Sequence, residues 1–488
     1  MSKQSLSFDD AAIQQMFGHE AAEDENPQRL RDYYFKGTVY QRASSDLPLR
    51  ILVGHKGIGK SALFQVSKQE DADVGILAIL LRPDDVHEII TSSSLLDSTR
   101  QWKSGLERVI FNKAVSVLGH SKKSKKTEVA STLGKGISIV DALLNVFNPK
   151  LKGMVDIDAG KRELAKGLLD SKKVRIYIDD LDRGWTASAE SITRLSSLLN
   201  AVRDLIKEHP GIQFRISLRS DVYYLVRTSD ESTDKIEGSV VWYTWTNHEI
   251  LAMLVKRVQS YLGKELTEHE LTSMEQPSLA SFLDRVMVPH YFGHGGWSKI
   301  PTHRMMMSLI RRRPRDLVKL CTLAAQKTNE RGGSLIETQD FTAAFDQYSQ
   351  GRLQDTINEY RSELPSIETL LLNMRPTTQK KRQEKPFIYT TASLITKLRN
   401  IQTSQKPFVF YGGRQATEKD LAAFMYKVNF LTARKIIGER IERQYFEENR
   451  YLSSSFVDFG YDWEVHPAYR WALQPNQNRV VVSALDDI

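Results

Sequence analysis

The stretch from Leu49 to Ser61, LRILVGHKGIGKS, constrains the fold of this chain more than any other. Its first residues are mostly apolar and predict a buried parallel strand. Next come a glycine, four further residues and Gly-Lys-Ser, and the helix-forming sequence Ala62-Leu63-Phe64 follows. Strand, glycine-rich loop and helix in this order are the context in which this pattern binds phosphate groups. The stretch therefore predicts a nucleotide-binding loop, and a glycine-rich turn without a ligand is the alternative.

Each residue type in this loop has a chemical reason. Glycines let backbone N–H groups curl around phosphate oxygens, and the helix N-terminus adds a partial positive charge. Lys60 can reach the β- and γ-phosphates, and the Ser61 hydroxyl can bind Mg²⁺. We therefore assign nucleotide binding to a continuous set of residues, namely Gly54, His55, Lys56, Gly57, Ile58, Gly59, Lys60, Ser61 and Ala62.

A second strand, Val174–Ile178, ends in the acidic pair Asp179-Asp180. Asp179 comes first after the strand, where a carboxylate can hold Mg²⁺ through its water shell. Asp180 comes where a second carboxylate can polarise the attacking water. An Asp-Asp pair after a strand is also a common turn. Together with the loop, however, it predicts a site for a nucleoside triphosphate.

Composition limits the classes of protein to which this chain can belong. The chain has 488 residues, enough for roughly three domains. Its one cysteine, Cys321, excludes an intramolecular disulfide and a cysteine-based zinc site, which fits a reducing cytoplasm. Apolar runs are too short for a membrane span, and the first residues lack the apolar core of a signal peptide. We therefore expect a cytoplasmic protein with no membrane partner. The net charge of +8 leaves nucleic acid as a further partner.

Strands and helices alternate in the first half of the chain, with further strands predicted at residues 75–81, 214–218 and 240–245. This alternation predicts an α/β fold with a parallel sheet sandwiched by helices. Both phosphate motifs then fall at the carboxyl ends of strands, where nucleotides bind such sheets. We expect an N-terminal helical segment at 1–47, the sheet domain at 48–246 with an insertion at 119–172, a helical domain at 247–345 and a C-terminal domain at 346–488.

The C-terminal domain is predicted to be helical at first and α+β near its end. A helix predicted at 418–437 and a strand-like run at 455–465 have the helix-then-hairpin order of a winged helix. The chain also has three basic stretches, at 122–126, 311–319 and 380–385. Such stretches are typical of contacts with a nucleic-acid backbone, and equally of solvated surface.

Four motifs together resemble the additional-strand P-loop ATPases, and among them the KAP and STAND branch. They are Gly54–Ser61, Ile178–Arg183, Leu218-Arg219-Ser220-Asp221 and Arg313-Pro314-Arg315-Asp316-Leu317. Over nearly the whole chain, the sequence is also similar to a largely uncharacterised family of prokaryotic ATPases. This second resemblance adds Phe17-Gly18 with Ala22-Glu23, Tyr348-Ser349 with Arg352-Leu353, and Trp463–Pro467.

The resemblance implies ATP and Mg²⁺ as cofactors and a fourth strand between the phosphate-loop strand and the acidic-pair strand. It places Arg219 at the γ-phosphate in a catalytic role beside Lys60 and Asp180. It makes residues 247–345 a lid from which Arg315, or as second choice Arg313, contacts the nucleotide. Arg183 would either pair with Asp182 or act in a neighbouring subunit.

The resemblance further implies homo-oligomers, a protein effector as partner and a role in bacterial defence against phages. The first functional hypothesis is therefore an ATP-driven switch that controls an effector. The second is a DNA-binding loader or initiator ATPase that uses the winged-helix-like domain, which the basic stretches favour. A small-molecule kinase is disfavoured, because the long helical second half suits a lid and interaction domain better than an acceptor site.

Overall fold

The computed structural model of the chain describes residues 6–89, 94–118, 171–229, 231–377, 385–438, 440–449 and 460–475, together with the single positions 92, 143, 452, 477, 481, 482 and 485. Lys36–Tyr243 form one compact unit, here called the sheet unit. Met1–Phe35 and Thr244–Ile488 form the other, here called the helical unit. Nearly all of the predicted insertion, the basic stretch 122–126 and all but the last residue of 380–385 lie outside the described residues.

The helices are named in chain order. They are α1 (Asp10–Phe17), α2 (Pro27–Tyr33), α3 (Thr38–Ser44), α4 (Lys60–Asp73), α5 (Pro83–Val86), α6 (Leu95–Leu118), α7 (Ala189–Glu208), α8 (Ser220–Ser229), α9 (Asn247–Tyr261), α10 (Glu268–Ser273), α11 (Gln276–Ser281), α12 (Thr302–Leu309), α13 (Pro314–Glu330), α14 (Thr338–Tyr360), α15 (Ile367–Leu372), α16 (Thr391–Ser404), α17 (Glu418–Lys427) and α18 (Arg470–Leu473).

The strands are named in the same way. They are β1 (Leu49–Val53), β2 (Leu77–Leu81), β3 (Val174–Ile178), β4 (Ile212–Leu218), β5 (Val240–Trp242), β6 (His290–Tyr291), β7 (Ile300–Pro301), β8 (Ile388–Tyr389), β9 (Leu431–Ile437), β10 (Arg440–Gln444) and β11 (Asp462–Val465).

The sheet unit is built on five parallel strands in the order β2-β3-β4-β1-β5. Every residue of β3 and β4 is buried, which indicates that both faces of the sheet are covered. The α/β parallel sheet of the prediction is therefore confirmed. The resemblance also implied that the fourth strand lies between the strand before the loop and the strand before the acidic pair. This is confirmed, because β4 lies between β1 and β3.

Helices α6 and α7 pack against each other beside this sheet. Trp102, Leu106 and Ile110 recur at four-residue spacing on α6, and all three are buried in the core that also contains Leu198 and Val202 of α7. A helix buries one face when apolar residues recur at this spacing. The apolar residues at this spacing thus form the face of α6 that packs.

The N-terminal segment belongs to the helical unit, where α1 packs against α9 and α13. Arg257 of α9 donates from Nη1 to the carbonyl oxygen of Phe17 at 2.5 Å. Lys256 donates from Nζ to the carbonyl oxygen of Tyr34 at 2.8 Å. These contacts satisfy backbone carbonyls at the ends of two short helices, where no intrahelical partner exists.

The end of the chain forms an antiparallel sheet in the order β10-β9-β11-β8, with α16 and α17 in the same hydrophobic core. The helix predicted at 418–437 is wrong beyond Lys427. Asn429 has a positive φ of 57°, a conformation that ends helices. The following Leu431–Ile437 contains threonine and isoleucine, which favour strands, and pairs with β10 and β11.

A helix followed by a hairpin is present, as α17 followed by β9 and β10, but at other positions than predicted. β9 occupies the second half of the predicted helix, and the hairpin precedes the run predicted at 455–465. Of the strand-like run predicted at 455–465, Asp462–Val465 form β11, and 455–459 lie outside the described residues. The sheet has two more strands than the predicted hairpin, because β8 and β11 pair beside β9. The C-terminal region is therefore α+β, as predicted.

Candidate functional site

The loop between β1 and α4 lies at the carboxyl end of the parallel sheet. The N–H of Gly54 donates to the carbonyl oxygen of Leu218 at 3.2 Å, which aligns the start of the loop with the end of β4. A Cβ atom on Gly54 would lie 3.1 Å from both Ile58 Cγ2 and the carbonyl oxygen of Tyr243, so there is little room for a side chain. Gly59 precedes α4 with a φ of 105°, which glycine adopts without strain. The loop therefore has its shape because of its glycines.

Lys60 and Ser61 open helix α4 and are both half-buried. The Nζ of Lys60 donates to the carbonyl oxygens of Gly54 at 2.8 Å and of His55 at 3.1 Å. Its ammonium group thus lies over the loop itself, which is where phosphate groups are held in loops of this type. Within the rest of the loop, Lys56 is exposed, whereas the His55 ring is buried with Nδ1 3.3 Å from Ser220 Oγ.

The acidic pair follows β3 at the same edge of the sheet. The N–H of Asp179 donates to the carbonyl oxygen of Leu81 at 3.1 Å. The Asp179 carboxylate is buried and accepts a hydrogen bond from the hydroxyl of Ser217 on β4, and another from the N–H of Asp180 at 3.1 Å. These bonds determine how the carboxylate is oriented.

Asp180 has a positive φ of 62° and lies exposed at the end of β3. Partial burial of its carboxyl group raises its pKa, and the negative charge of Asp179 raises it further. The positive charges of Arg183, Lys56 and Lys60 oppose this shift. The side chains of the loop and of the acidic pair are therefore close enough to influence each other. The structure brings these two groups of predicted residues together.

Arg219, at the end of β4, is held between two carboxylates. Its Nε and Nη2 donate to the two oxygens of Asp221, at 3.1 and 2.6 Å. Its Nε also lies 3.5 Å from Oδ2 of Asp182. Burial raises the pKa of Asp182 to about 6, while the charges of Lys60 and Arg219 act in the opposite direction. Arg219 is thus the ion-pair partner of Asp182, whereas Arg183 is exposed.

Three residues of this site were not assigned a role from the sequence: Ser217, Asp221 and, as a partner of Arg219, Asp182. Ser217 lies in a mostly apolar strand, in which the sequence indicates no functional residue. It contacts Asp179 only because β3 and β4 are neighbours. A two-residue spacing of arginine and aspartate after a strand was the available signal for Asp221.

The two arginines predicted to contact the nucleotide from the lid lie in the helical unit. Arg313 is buried, with Nη1 3.2 Å from Oε2 of Glu359. Arg315 is half-buried and donates from Nε to the carbonyl oxygen of Glu20 at 3.2 Å. Each therefore has a contact within its own unit. Their contact with a nucleotide stays a prediction.

The basic stretch 311–319 is largely neutralised by acidic side chains. Arg311 donates to both oxygens of Asp316, and Lys319 lies 2.7 Å from Oε1 of Glu20. Arg312 pairs with Glu448. The positive charges that favoured a nucleic-acid contact here are thus paired with acidic side chains inside the helical unit.

Residues 248–357 match the family model of the FunZ-associated C-terminal helical domain. The chain is also 22% identical, over 351 residues, to the "Putative transposon gamma-delta 80.3 kDa protein" of Escherichia coli strain K12. The aligned residues make up 66% of this chain and 48% of that protein, so the chain spans about half the length of the curated relative it matches.

Solved structures with distant similarity include three archaeal proteins. Cdc6p from Pyrobaculum aerophilum has a TM-score of 0.32 at 11% identity, with 96% of this chain and 97% of that chain covered. The ORC2 protein of Aeropyrum pernix in its ADPNP–ADP complexes has a TM-score of 0.37 at 9% identity, covering 94% and 91%. The ORC1 protein of the same organism in complex with DNA has a TM-score of 0.31 at 11% identity, covering 94% and 90%.

Proposed function

We propose that this chain is a Mg²⁺-dependent ATP-binding and ATP-hydrolysing molecular switch. The observation that supports it is the convergence of two motifs at one edge of a parallel sheet. The loop that ends in Lys60 and the acidic pair after β3 are 119 residues apart in the sequence, counted from Lys60 to Asp179. In the structure they are close enough that the positive charge of Lys60 acts to lower the pKa of both Asp180 and Asp182. Two such motifs at the carboxyl edge of one parallel sheet are what a nucleotide site requires.

The residues present fit ATP and Mg²⁺. Gly59 has the left-handed backbone that turns a loop into an anion-binding concavity at a helix start. Ser61 and Asp179 supply the hydroxyl and carboxylate oxygens that Mg²⁺ prefers. When bound, the ion neutralises negative charge on the phosphate oxygens.

The chain's own side chains then have distinct tasks. Lys60 exchanges its contacts with the carbonyls of Gly54 and His55 for phosphate oxygens, because a negatively charged acceptor is stronger than a neutral one. Asp180 accepts a proton from the attacking water, and its raised pKa makes it a better base than an ordinary aspartate. Ser217 keeps the Asp179 carboxylate in one orientation.

We further propose that ATP controls an oligomer that regulates a protein effector in antiviral defence. Support for this finer proposal comes from the resemblance of the sequence motifs to KAP and STAND ATPases. The presence of a large helical unit in the same chain is consistent with an interaction role.

The direct test is to measure ATP binding and phosphate release by the purified chain, with Mg²⁺ and with excess EDTA. We expect binding of ATP in both conditions and phosphate release only with Mg²⁺. Light scattering with ADP and with a non-hydrolysable ATP analogue, adenylyl imidodiphosphate, should show a larger mass with the analogue. A chain that binds no ATP would overturn the whole proposal, and an unchanged mass would overturn only the oligomeric switch.

The alternative function is a DNA-binding loader or initiator ATPase, and the order of α17, β9 and β10 favours it. The name of the curated relative, a transposon protein, points in the same direction. Lys419 on α17 and Lys435 on β9 are exposed and could meet a phosphate backbone.

Reversing both charges, with Lys419→Glu and Lys435→Glu, should then weaken binding to duplex DNA and make it less dependent on salt. The matched control is Lys264→Glu, an exposed lysine elsewhere in the helical unit. Duplex binding that is equally strong in all three proteins would reject this alternative.

A further inference from the structure

Tyr243, the residue after β5, lies beside the loop between β1 and α4. Its N–H donates to the carbonyl oxygen of Val53 at 2.7 Å, which continues the parallel pairing of β5 with β1 by one residue. The residue is buried, with 4% of its surface exposed. Because Val53 is the last residue of β1, the loop begins directly next to this tyrosine.

The side chain of Tyr243 extends along the loop from its first glycine to its last. A Cβ atom on Gly54 would lie 3.2 Å from the Cβ of Tyr243. A Cβ atom on Gly59 would lie 3.3 Å from the Oη of Tyr243 and 3.8 Å from its Cζ. One end of the side chain is therefore next to Gly54, and the other end is next to Gly59.

The start of the loop has further contacts on the side of β4. The N–H of Gly54 donates to the carbonyl oxygen of Leu218 at 3.2 Å, and Nδ1 of His55 lies 3.3 Å from Ser220 Oγ. Tyr243 reaches the opposite end of the loop, at Gly59, whose φ is 105° and which directly precedes Lys60. The tyrosine thus packs against the part of the loop that leads into α4.

A loop of this type binds phosphate well only if its N–H groups point to one centre before the ligand arrives. Glycine has the greatest backbone freedom of all residues, so a glycine-rich loop is expensive to order. A tyrosine ring is rigid and its side chain turns about only two bonds. Such a ring packed along the loop restricts the backbone in the absence of nucleotide.

We propose that Tyr243 is a positioning residue that holds the phosphate-binding loop in its binding conformation. It supports the backbone at Gly54 and Gly59, so that the N–H groups before Lys60 are oriented in advance. This inference rests on the proposed function and adds to it a residue that belongs to neither the loop nor the acidic pair. Backbone N–H groups of such loops hold phosphates that ATP and ADP share, so Tyr243 strengthens the binding of both nucleotides by the same factor.

The first test measures the affinities for ADP and for adenylyl imidodiphosphate, both with Mg²⁺, by isothermal titration calorimetry. Tyr243→Ala should lower both affinities about tenfold, the effect of ordering roughly one more backbone residue on binding. The ratio of the two affinities should stay as in the wild type. Tyr243→Phe keeps the ring along the loop and should restore nearly the wild-type affinities.

The second test follows the loop itself, by hydrogen–deuterium exchange of the peptide that covers residues 54–61 in the nucleotide-free chain. Exchange should be faster in Tyr243→Ala than in the wild type, and ADP should remove most of the difference. The matched control is Trp242→Ala, which removes an aromatic ring from the preceding residue. The Trp242 ring packs against Tyr223 of α8, with the ring centroids 5.7 Å apart, so this variant should keep wild-type exchange and affinities.

Near-ultraviolet circular dichroism shows whether each variant is folded. If Tyr243→Ala is unfolded, Tyr243→Leu decides the question by the same measurements, because leucine fills the space near Gly54 but ends short of Gly59. Wild-type affinities and exchange in the folded variant, or an equal loss in Trp242→Ala, would overturn the inference while leaving ATP binding intact. Absence of nucleotide binding by the wild-type chain would instead overturn the proposed function.

Discussion

The side chain of Arg311 donates from Nε and Nη2 to the two carboxylate oxygens of Asp316, at 2.7 and 3.0 Å. Arg352 of α14 donates to the same carboxylate at 2.6 Å, and Tyr469 accepts from Nη1 of Arg311 at 2.9 Å. All of these groups are buried. Motifs that lie more than a hundred residues apart thus meet in one ionic network, which joins α13, α14 and the short turn Pro467–Tyr469.

Asp316 is the centre of this network, and removing it should destabilise the helical unit. Arg311 and Arg352 lower the pKa of Asp316 despite its burial, so the carboxylate is ionised and both arginines depend on it. Asp316→Ala leaves two buried positive charges without this partner and should lower the free energy of unfolding by about 3–5 kcal/mol. Urea denaturation measures the change.

The matched control for that variant is Asp355→Ala. Asp355 also pairs with Arg352, at 2.9 Å, but its side chain is half exposed to solvent. Its loss should lower the free energy of unfolding by less than about 1 kcal/mol. Equal stability of the two variants would show that the network contributes nothing beyond surface pairing.

Lys60→Ala should abolish detectable ATP binding, because it removes the positive charge over the loop carbonyls. Lys68→Ala is the control, since Lys68 is exposed two turns further along the same helix. Equilibrium binding of a fluorescent ATP derivative measures both variants. Wild-type affinity in Lys60→Ala would refute the assignment of the loop.

Asp180→Asn should retain ATP binding and slow ATP hydrolysis by about two orders of magnitude or more. The amide keeps the size of the side chain but cannot accept the proton from water. Steady-state phosphate release gives the rate, and Asp204→Asn provides an exposed control in the same unit. If Asp180→Asn hydrolysed ATP at the wild-type rate, another group would have to be the base.

His466 should make the helical unit less stable in mild acid. Its ring is buried, with Nδ1 accepting from the N–H of Ala468 at 3.1 Å and Nε2 3.1 Å from the hydroxyl of Tyr445. Burial, together with the positive charge of Arg443, lowers its pKa from 6.5 to about 3. Between these two values the unfolded chain binds the extra proton, so the free energy of unfolding falls as pH falls.

Below the pKa of histidine in the unfolded chain, this residue alone should lower the free energy of unfolding by about 1.4 kcal/mol for each pH unit. Urea midpoints at pH 7, 6 and 5 should reveal it in the wild type, and His466→Asn should remove that part of the slope. His269→Asn, at an exposed histidine of the same unit, should keep it. An unchanged slope in His466→Asn would contradict the buried neutral imidazole.

Local patterns were sufficient to predict much of this protein. Gly54, Lys60 and Ser61 could be placed in and directly after a loop between a strand and a helix, because such a loop and the helix after it depend on neighbouring residues. The apolar run before Asp179 likewise predicted a buried strand. The helix predicted at 418–437 shows the limit, because pairing with β10 and β11 made its second half a strand.

The sequence by itself determined the glycine-rich loop between a strand and a helix, the acidic pair after a buried strand and the parallel sheet, since short-range geometry and apolar periodicity are sufficient for each. Only the tertiary structure decided that Ser217 orients Asp179, that Asp182 and Asp221 hold Arg219, and that Arg311 is a buried structural cation. The reason is physical. These contacts depend on which strands and helices become neighbours, and this is set by the packing of the whole chain rather than by any one segment.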